Sequence, residues 1–347
     1  MKKILGLTFL FGLLFLITNG VADILITLRY ELQGAVTADN AISQIPETED
    51  VAAFKEVYAD TNRIKYSEVR PIGRLPQSGD YGSYQIGLNG ERLLANDASL
   101  PSEGKEGKRV LILGSSQTFG YLSKTEDHFV AQLAAQMPEY HFQNFSVPSQ
   151  LSVETIAHWQ RLMRLGYEFD KVLVFAGGLD IYSYCQFFNE VSHLSKNRLA
   201  LTHVISKLAE NIKGFNSTGF QGAPSECGEP KKRQAIADNI IANFKFMVAF
   251  GESLGQSTYV FALPHPYVAE PNLGNLTHGK KFEDFRRDMR LVSDEVAVKA
   301  AGLSRVADFT HLFDDQEPMF LDWGGHFSTV GNRVTAKAVA DFLKKQP

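Results

Sequence analysis

From Lys108 onward the chain alternates short apolar runs with longer amphipathic stretches, and this alternation leaves few folds open. Residues 110–113 form a continuous apolar run closed by Gly114, and 171–176 (KVLVFA) and 258–263 (TYVFAL) read as further strands. Runs without polar alternation are strands buried on both faces, the habit of parallel sheets. Shorter strands fit 141–147 and 305–309, and helical patterns fit 126–137, 153–165, 234–254, 282–301 and 331–345. Strands separated by helices and joined by right-handed crossovers give a three-layer α/β/α sandwich around a flavodoxin-like parallel sheet of about five strands. Ligands of such sheets bind outside the carboxyl ends of the strands.

The chain ahead of this pattern has a different character. Lys2 and Lys3 precede an uncharged run, 4–18, in the order of an export signal. Small residues at Gly20-Val21-Ala22 offer a cleavage site, while apolar character resumes to Leu28, so that 4–28 is also long enough to span a bilayer core of about 30 Å. The expected organisation is a signal peptide or signal-anchor (1–28), a turn-rich arm and linker with Pro71, Pro76 and Pro101 (29–107), and the main domain (108–347), in which 183–232 is the least regular part. The protein is expected to be exported, held at the membrane facing the periplasm or exterior, or else secreted after cleavage. Cys185 and Cys227 then share an oxidising side, as a disulfide or as two unrelated thiols. Sequons at Asn144, Asn216 and Asn275 matter only where the host glycosylates. A net charge of −4, from 35 basic and 39 acidic residues, excludes a basic nucleic-acid binder.

The first long strand runs into Gly114-Ser115-Ser116-Gln117-Thr118-Phe119-Gly120. Neither the dinucleotide fingerprint nor the phosphate loop is present, and Thr118 breaks the G-x-S-x-G elbow. What remains is a serine on a strand-to-helix turn, with Oγ exposed and its own N–H facing a developing oxyanion, or a tight turn that happens to carry two polar residues. A serine nucleophile needs a histidine oriented by a carboxylate. Of nine histidines, His326 sits with Asp322 on a glycine-bearing loop before the last helix, and His265 follows a strand end in LPHP as a candidate pocket residue. His128, His141, His158, His193, His203, His278 and His311 read as core or surface. With no H-E-x-x-H and no paired C-x-x-C, neither metal nor other cofactor is expected.

These segments together resemble the SGNH, or GDSL, hydrolase family over about 108–343. GSSQTFG is similar to the first block, G-D-S-x-x-x-G, with Ser116 as nucleophile and Ser115 in the aspartate position. Asn144 to Ser149 resembles the second block, where a backbone N–H, here that of Ser149, joins that of Ser116 in the oxyanion hole. Gly177-Gly178-Leu179-Asp180 resembles the third block, G-x-N-D, with leucine in place of the asparagine donor. Asp322 to His326 resembles the last block, D-x-x-H, with one extra residue that a glycine bulge must absorb. The hydrophobic start and 84–92 (YQIGLNGER) are similar to exported, membrane-anchored bacterial members. The resemblance implies a serine O-acyl esterase of the cell envelope acting on an acylated small molecule, polysaccharide or lipid. Its catalytic residues would be Ser116, His326 and Asp322, with Ser115, Gly178, Leu179, Asp180 and His265 around the pocket. The alternatives are an acyltransferase using the same serine, or a binding or accessory protein that has lost turnover.

Overall fold

The computed structural model describes residues 41–94, 108–191, 226–276 and 281–346. The chain divides into two compact units, Met1–Gln44 and Ile45–Pro347. The expected signal or anchor, residues 95–107 of the linker, residues 192–225 with His193, His203 and Asn216, and His278 lie outside the described residues. Among the described residues no helix is long and apolar enough to cross a membrane.

Five parallel strands make the central sheet: β5 (Lys108–Gly114), β6 (Tyr140–Asn144), β7 (Lys171–Ala176), β8 (Ser257–Ala262) and β9 (Val306–Asp308). Their spatial order is β6-β5-β7-β8-β9, the flavodoxin-like order. Successive side chains of a strand point to opposite faces, and each face here is covered. Leu111, Leu113, Val172 and Val174 pack with residues of α4 (Ser152–Arg164), α5 (Gly178–Val191), α6 (Pro230–Ser253) and α7 (Lys281–Ala300). Val110, Ile112, Leu173 and Phe175 pack with α3 (Phe129–Gln136) and α8 (Thr329–Leu343) on the other face. Burial on both sides is why these strands carry unbroken apolar runs.

Residues 45–94, expected only as an arm, belong to the same compact unit as the sheet. They hold helix α1 (Val51–Arg63), capped by the Asp50 carboxylate on the N–H groups of Ala52 and Ala53, then hairpin β1 (Tyr66–Val69) with β2 (Gly73–Pro76), and the short pair β3 (Gly79–Asp80) and β4 (Gln85–Ile86). Beyond β4, the N–H of Arg92 donates to Asn144 O at 2.8 Å, which ties the arm to the outer edge of β6. Edge strands left open invite pairing with other chains, and this contact covers part of that edge.

The segment expected to turn irregular at 183 continues as helix α5 to Val191. Ile181, Tyr184 and Cys185 are buried there, and a disulfide joins Cys185 to Cys227. Few charges mark the polar face of this aromatic-rich helix, so its period is weak in the sequence.

His128, His158 and His265 are buried in the folded chain. Burial, reinforced by Arg161 and His326 respectively, pulls His158 and His265 down to about 3, and burial beside Arg92 holds His128 well below its ordinary value. Unfolded histidine titrates near 6.5, so between about pH 6.5 and 3 the unfolded chain binds the extra protons and stability falls with pH. Each histidine contributes a slope of up to about 1.4 kcal/mol per pH unit in that window. Burial raises Glu91, Glu154 and Asp180, which act in the opposite sense at the acid end, so one histidine is best isolated by substitution. Neither ring nitrogen of His158 has a partner, and its ring meets Phe145 edge-on. Denaturant titrations at pH 7.5 and pH 5 should show a smaller loss of stability for His158→Phe than for the unsubstituted chain; equal losses would contradict this account.

Candidate active site

The turn after β5 depends on Gly114. A Cβ there would lie 2.8 Å from Phe175 O and collide with the Thr118 hydroxyl, so glycine lets the chain turn at once into the one-turn helix α2 (Ser116–Phe119). Ser115 is its extended N-cap, and Ser116, partly exposed, is the first helical residue, whose N–H has no intrahelical acceptor. The far end of α2 rests on Arg92, which is 1% exposed. Its Nη1 donates to Phe119 O (2.8 Å) and Gly120 O (2.6 Å) and its Nη2 to Ser123 O (2.8 Å), while the guanidinium lies 4.3 Å from the centre of the Tyr84 ring. Burial lowers Arg92 to about 10, so it remains a cation at neutral pH.

The histidine loop is equally local. Phe320 and Phe327 form an antiparallel bridge, Leu321 N donates to His326 O at 2.8 Å, and Gly325 N donates to Asp322 O at 3.2 Å with Gly325 at φ +82°. Inside this loop His326 Nδ1 donates to Asp322 Oδ2 at 2.7 Å and His326 N to Oδ1 at 3.2 Å. The glycine bulge thus absorbs the fourth residue of spacing. Burial raises the Asp322 carboxyl, but the charge and hydrogen bonds of His326, helped by the N–H of Gly324, outweigh it and hold Asp322 below its ordinary value. Asp322 is therefore a carboxylate at neutral pH, His326 carries its proton on Nδ1, and the Nε2 lone pair is left for a proton acceptor's task. The Tyr121 ring packs 4.7 Å from that of His326. Just beyond the loop, Glu49 accepts from Thr329 N (2.6 Å) and Thr329 Oγ1 (2.9 Å) at the start of α8.

Gln117 brings these pieces together. Its Nε2 donates to Pro264 O and to Gly325 O, each at 2.8 Å, so the residue after Ser116 holds the peptides just before His265 and His326. No hydrogen bond between the Ser116 hydroxyl and His326 is formed among the described residues. Ser149, in the turn after β6, is exposed at φ +64°, a left-handed conformation that glycine adopts more freely. Ser115 and Leu179 line one small cavity with Gln117, Gly177 and Gly178. His265, 3% exposed, packs against Gly178, where a Cβ would come within 3.1 Å of the His265 Cβ. Asp180 lines the same cavity and accepts from Ser152 N (2.9 Å) and Gly177 N (3.1 Å) at the starts of α4 and α5; burial raises it and these bonds oppose the rise. Asn144 is buried, donating to Thr118 O at 3.0 Å, so its sequon is closed to modification in the folded chain. Among the described residues no group of three or more His, Cys, Asp or Glu side chains is arranged to hold a metal ion.

Gln117, Arg92, Tyr121 and Glu49 escaped the sequence reading. Gln117 stands inside the GSSQTFG motif, but nothing in a sequence shows which distant carbonyls an amide will reach.

No protein-family model and no curated protein sequence matches the chain. Solved structures similar to it include an alpha/beta hydrolase enzyme from the metagenome of Lake Arreo, 17% identical over 69% of this chain and 95% of that one, at a TM-score of 0.39. A member of the lipolytic protein G-D-S-L family from Veillonella parvula is 12% identical over 68% of this chain and 98% of that one, at 0.40. A variant of an acetyl-xylooligosaccharide esterase from Geobacillus is 16% identical over 69% and 95%, also at 0.40.

Imidazole-nitrogen NMR at pH 7.5 tests the Asp322–His326 pair. The Nδ1–H tautomer should dominate at His326 and be lost as the major form in Asp322→Asn; an unchanged tautomer in that variant would refute the assignment.

Proposed function

We propose that the chain is a serine hydrolase of carboxylic esters, with Ser116 as nucleophile, His326 as base and Asp322 as its orienter. The observation that carries this reading is the 2.7 Å Asp322–His326 pair, fastened through Gln117 to the turn that presents Ser116. Ser116 Oγ attacks the ester carbonyl carbon while its proton passes to His326 Nε2. The C–O bond to the alcohol then breaks, and His326 returns the proton to the departing alkoxide. Water next attacks the acyl-serine, giving its proton to His326, and the acid leaves as Ser116 regains a proton. The N–H groups of Ser116 and Ser149 are assigned to the oxyanion.

With the export-type start at 1–28, this reading makes the protein an O-acyl esterase outside the cytosol, held at the membrane by that segment or secreted, acting on acylated carbohydrate or lipid of the envelope. An acyltransferase would share the first half-reaction and differ only in the acceptor. The open Ser116–His326 contact is the one feature that favours a binding protein without turnover, although catalytic hydrogen bonds often tighten only when substrate is bound.

Fluorophosphonate labelling of the full chain in detergent separates these readings. The unsubstituted chain and Ser115→Ala should label, whereas Ser116→Ala and His326→Ala should lose labelling by about 10³-fold or more. A folded, unsubstituted chain that does not label would overturn the hydrolase reading.

A further inference from the structure

Two histidines stand at the same edge of the sheet with their protons on opposite nitrogens. His326 gives its Nδ1 proton to Asp322, which leaves Nε2 as an acceptor. His265 Nδ1 faces the N–H of Tyr267 at 3.4 Å and accepts from it, which leaves the proton on Nε2. No group among the described residues accepts that Nε2–H, and unlike the ring nitrogens of His128 and His158 the atom is not sealed from the surface, although the residue as a whole is 3% exposed. Its position is closely fixed. The ring edge is wedged between Gly178 and Gly325: a Cβ on Gly325 would lie 3.0 Å from His265 Nε2, and one on Gly178 3.2 Å from His265 Cδ2. Tyr267 and Tyr182 stack along the ring at 5.2 and 6.4 Å, and Gln117 grips the carbonyl of Pro264 directly before it. A fixed donor beside the base with no acceptor among the described residues is placed to meet a ligand oxygen.

We propose that His265 is a further catalytic residue, whose Nε2–H donates to the ester's carbonyl oxygen as it becomes an oxyanion. The inference rests on the hydrolase reading above. Ester hydrolysis develops charge on that oxygen, and preorganised donors in a water-poor site stabilise it. A neutral imidazole suits the task, because it donates without contributing a cation that would oppose protonation of His326. Burial, reinforced by the neighbouring His326, lowers His265 to about 3, so it is neutral at neutral pH. In the adjoining cavity wall, Leu179 has no side-chain donor, and both protons of the Gln117 amide are committed to Pro264 O and Gly325 O.

The test is steady-state hydrolysis of p-nitrophenyl acetate by the full chain, with fluorophosphonate labelling and a thermal melt run on each variant. His265→Ala should lower kcat by about 10²- to 10³-fold with KM changed less than about threefold. His265→Gln, which keeps an N–H donor, should recover at least about tenfold of that loss. Leu179→Asn placed in the His265→Ala background should also recover turnover, since residue 179 adjoins Gly178, against which His265 packs. If the unsubstituted chain hydrolyses the ester and His265→Ala keeps kcat within about threefold, the inference falls and the hydrolase reading stands. Should His265→Ala fail to fold, a folded His265→Gln retaining full kcat together with an inactive folded His265→Phe supports the proposal, and a fully active His265→Phe overturns it. An unsubstituted chain that neither labels nor hydrolyses overturns both.

Discussion

The side-chain amide of Gln117 spends its two protons on two peptides from distant parts of the chain, Pro264 O and Gly325 O. One lies at the end of β8 and the other in the loop before α8, so a single buried group fastens three connections at the carboxyl edge of the sheet. Each such bond contributes about 1 kcal/mol net, whereas stripping it away would leave a buried carbonyl unpaired at a cost of about 1–3 kcal/mol. Geometry matters more here than energy. The reactive candidates, Ser116 and His326, are each one residue from a Gln117 contact, and their separation follows from how that amide is held.

The arm clasps the same edge from outside. Glu49 holds the start of α8 just after the histidine loop, and Arg92 supports the far end of α2 just after the serine. A buried guanidinium without a carboxylate partner is expensive, and here four backbone carbonyls and two aromatic rings take that place. The N-terminal part of the described chain is therefore continuous with the machinery at the sheet edge.

Much of the sheet was legible because both of its faces are covered: 172–176 stands out as an unbroken apolar run within its strand. Helices with a polar outer face, such as α7 and α8, were legible for the complementary reason. Helix α5 was not, since Tyr182 to Val191 carries few charges to mark a solvent face, and α1 was lost in a stretch with little apolar periodicity. At the candidate site, the motif put Asp322 and His326 together, and they are hydrogen-bonded, with the glycine bulge required by the longer spacing visible at Gly325. Asp180 illustrates the opposite limit. A motif placed it beside the pocket, and it does line that cavity, but its carboxylate also caps two helices, a tertiary contact that no local pattern encodes. Gln117 and Arg92 act through backbone carbonyls, which every residue has, and so they leave no trace in the choice of their partners.

The central claim is that the Gln117 amide sets the relation between Ser116 and His326. Gln117→Met keeps the length of the side chain and removes both donors. The rate of Ser116 labelling by a fluorophosphonate, measured on folded protein, should fall by about 10²-fold, the scale on which a displacement of roughly 1 Å disables a catalytic pair. A Gln117→Met chain that melts as a folded protein and labels at the unsubstituted rate would contradict the account.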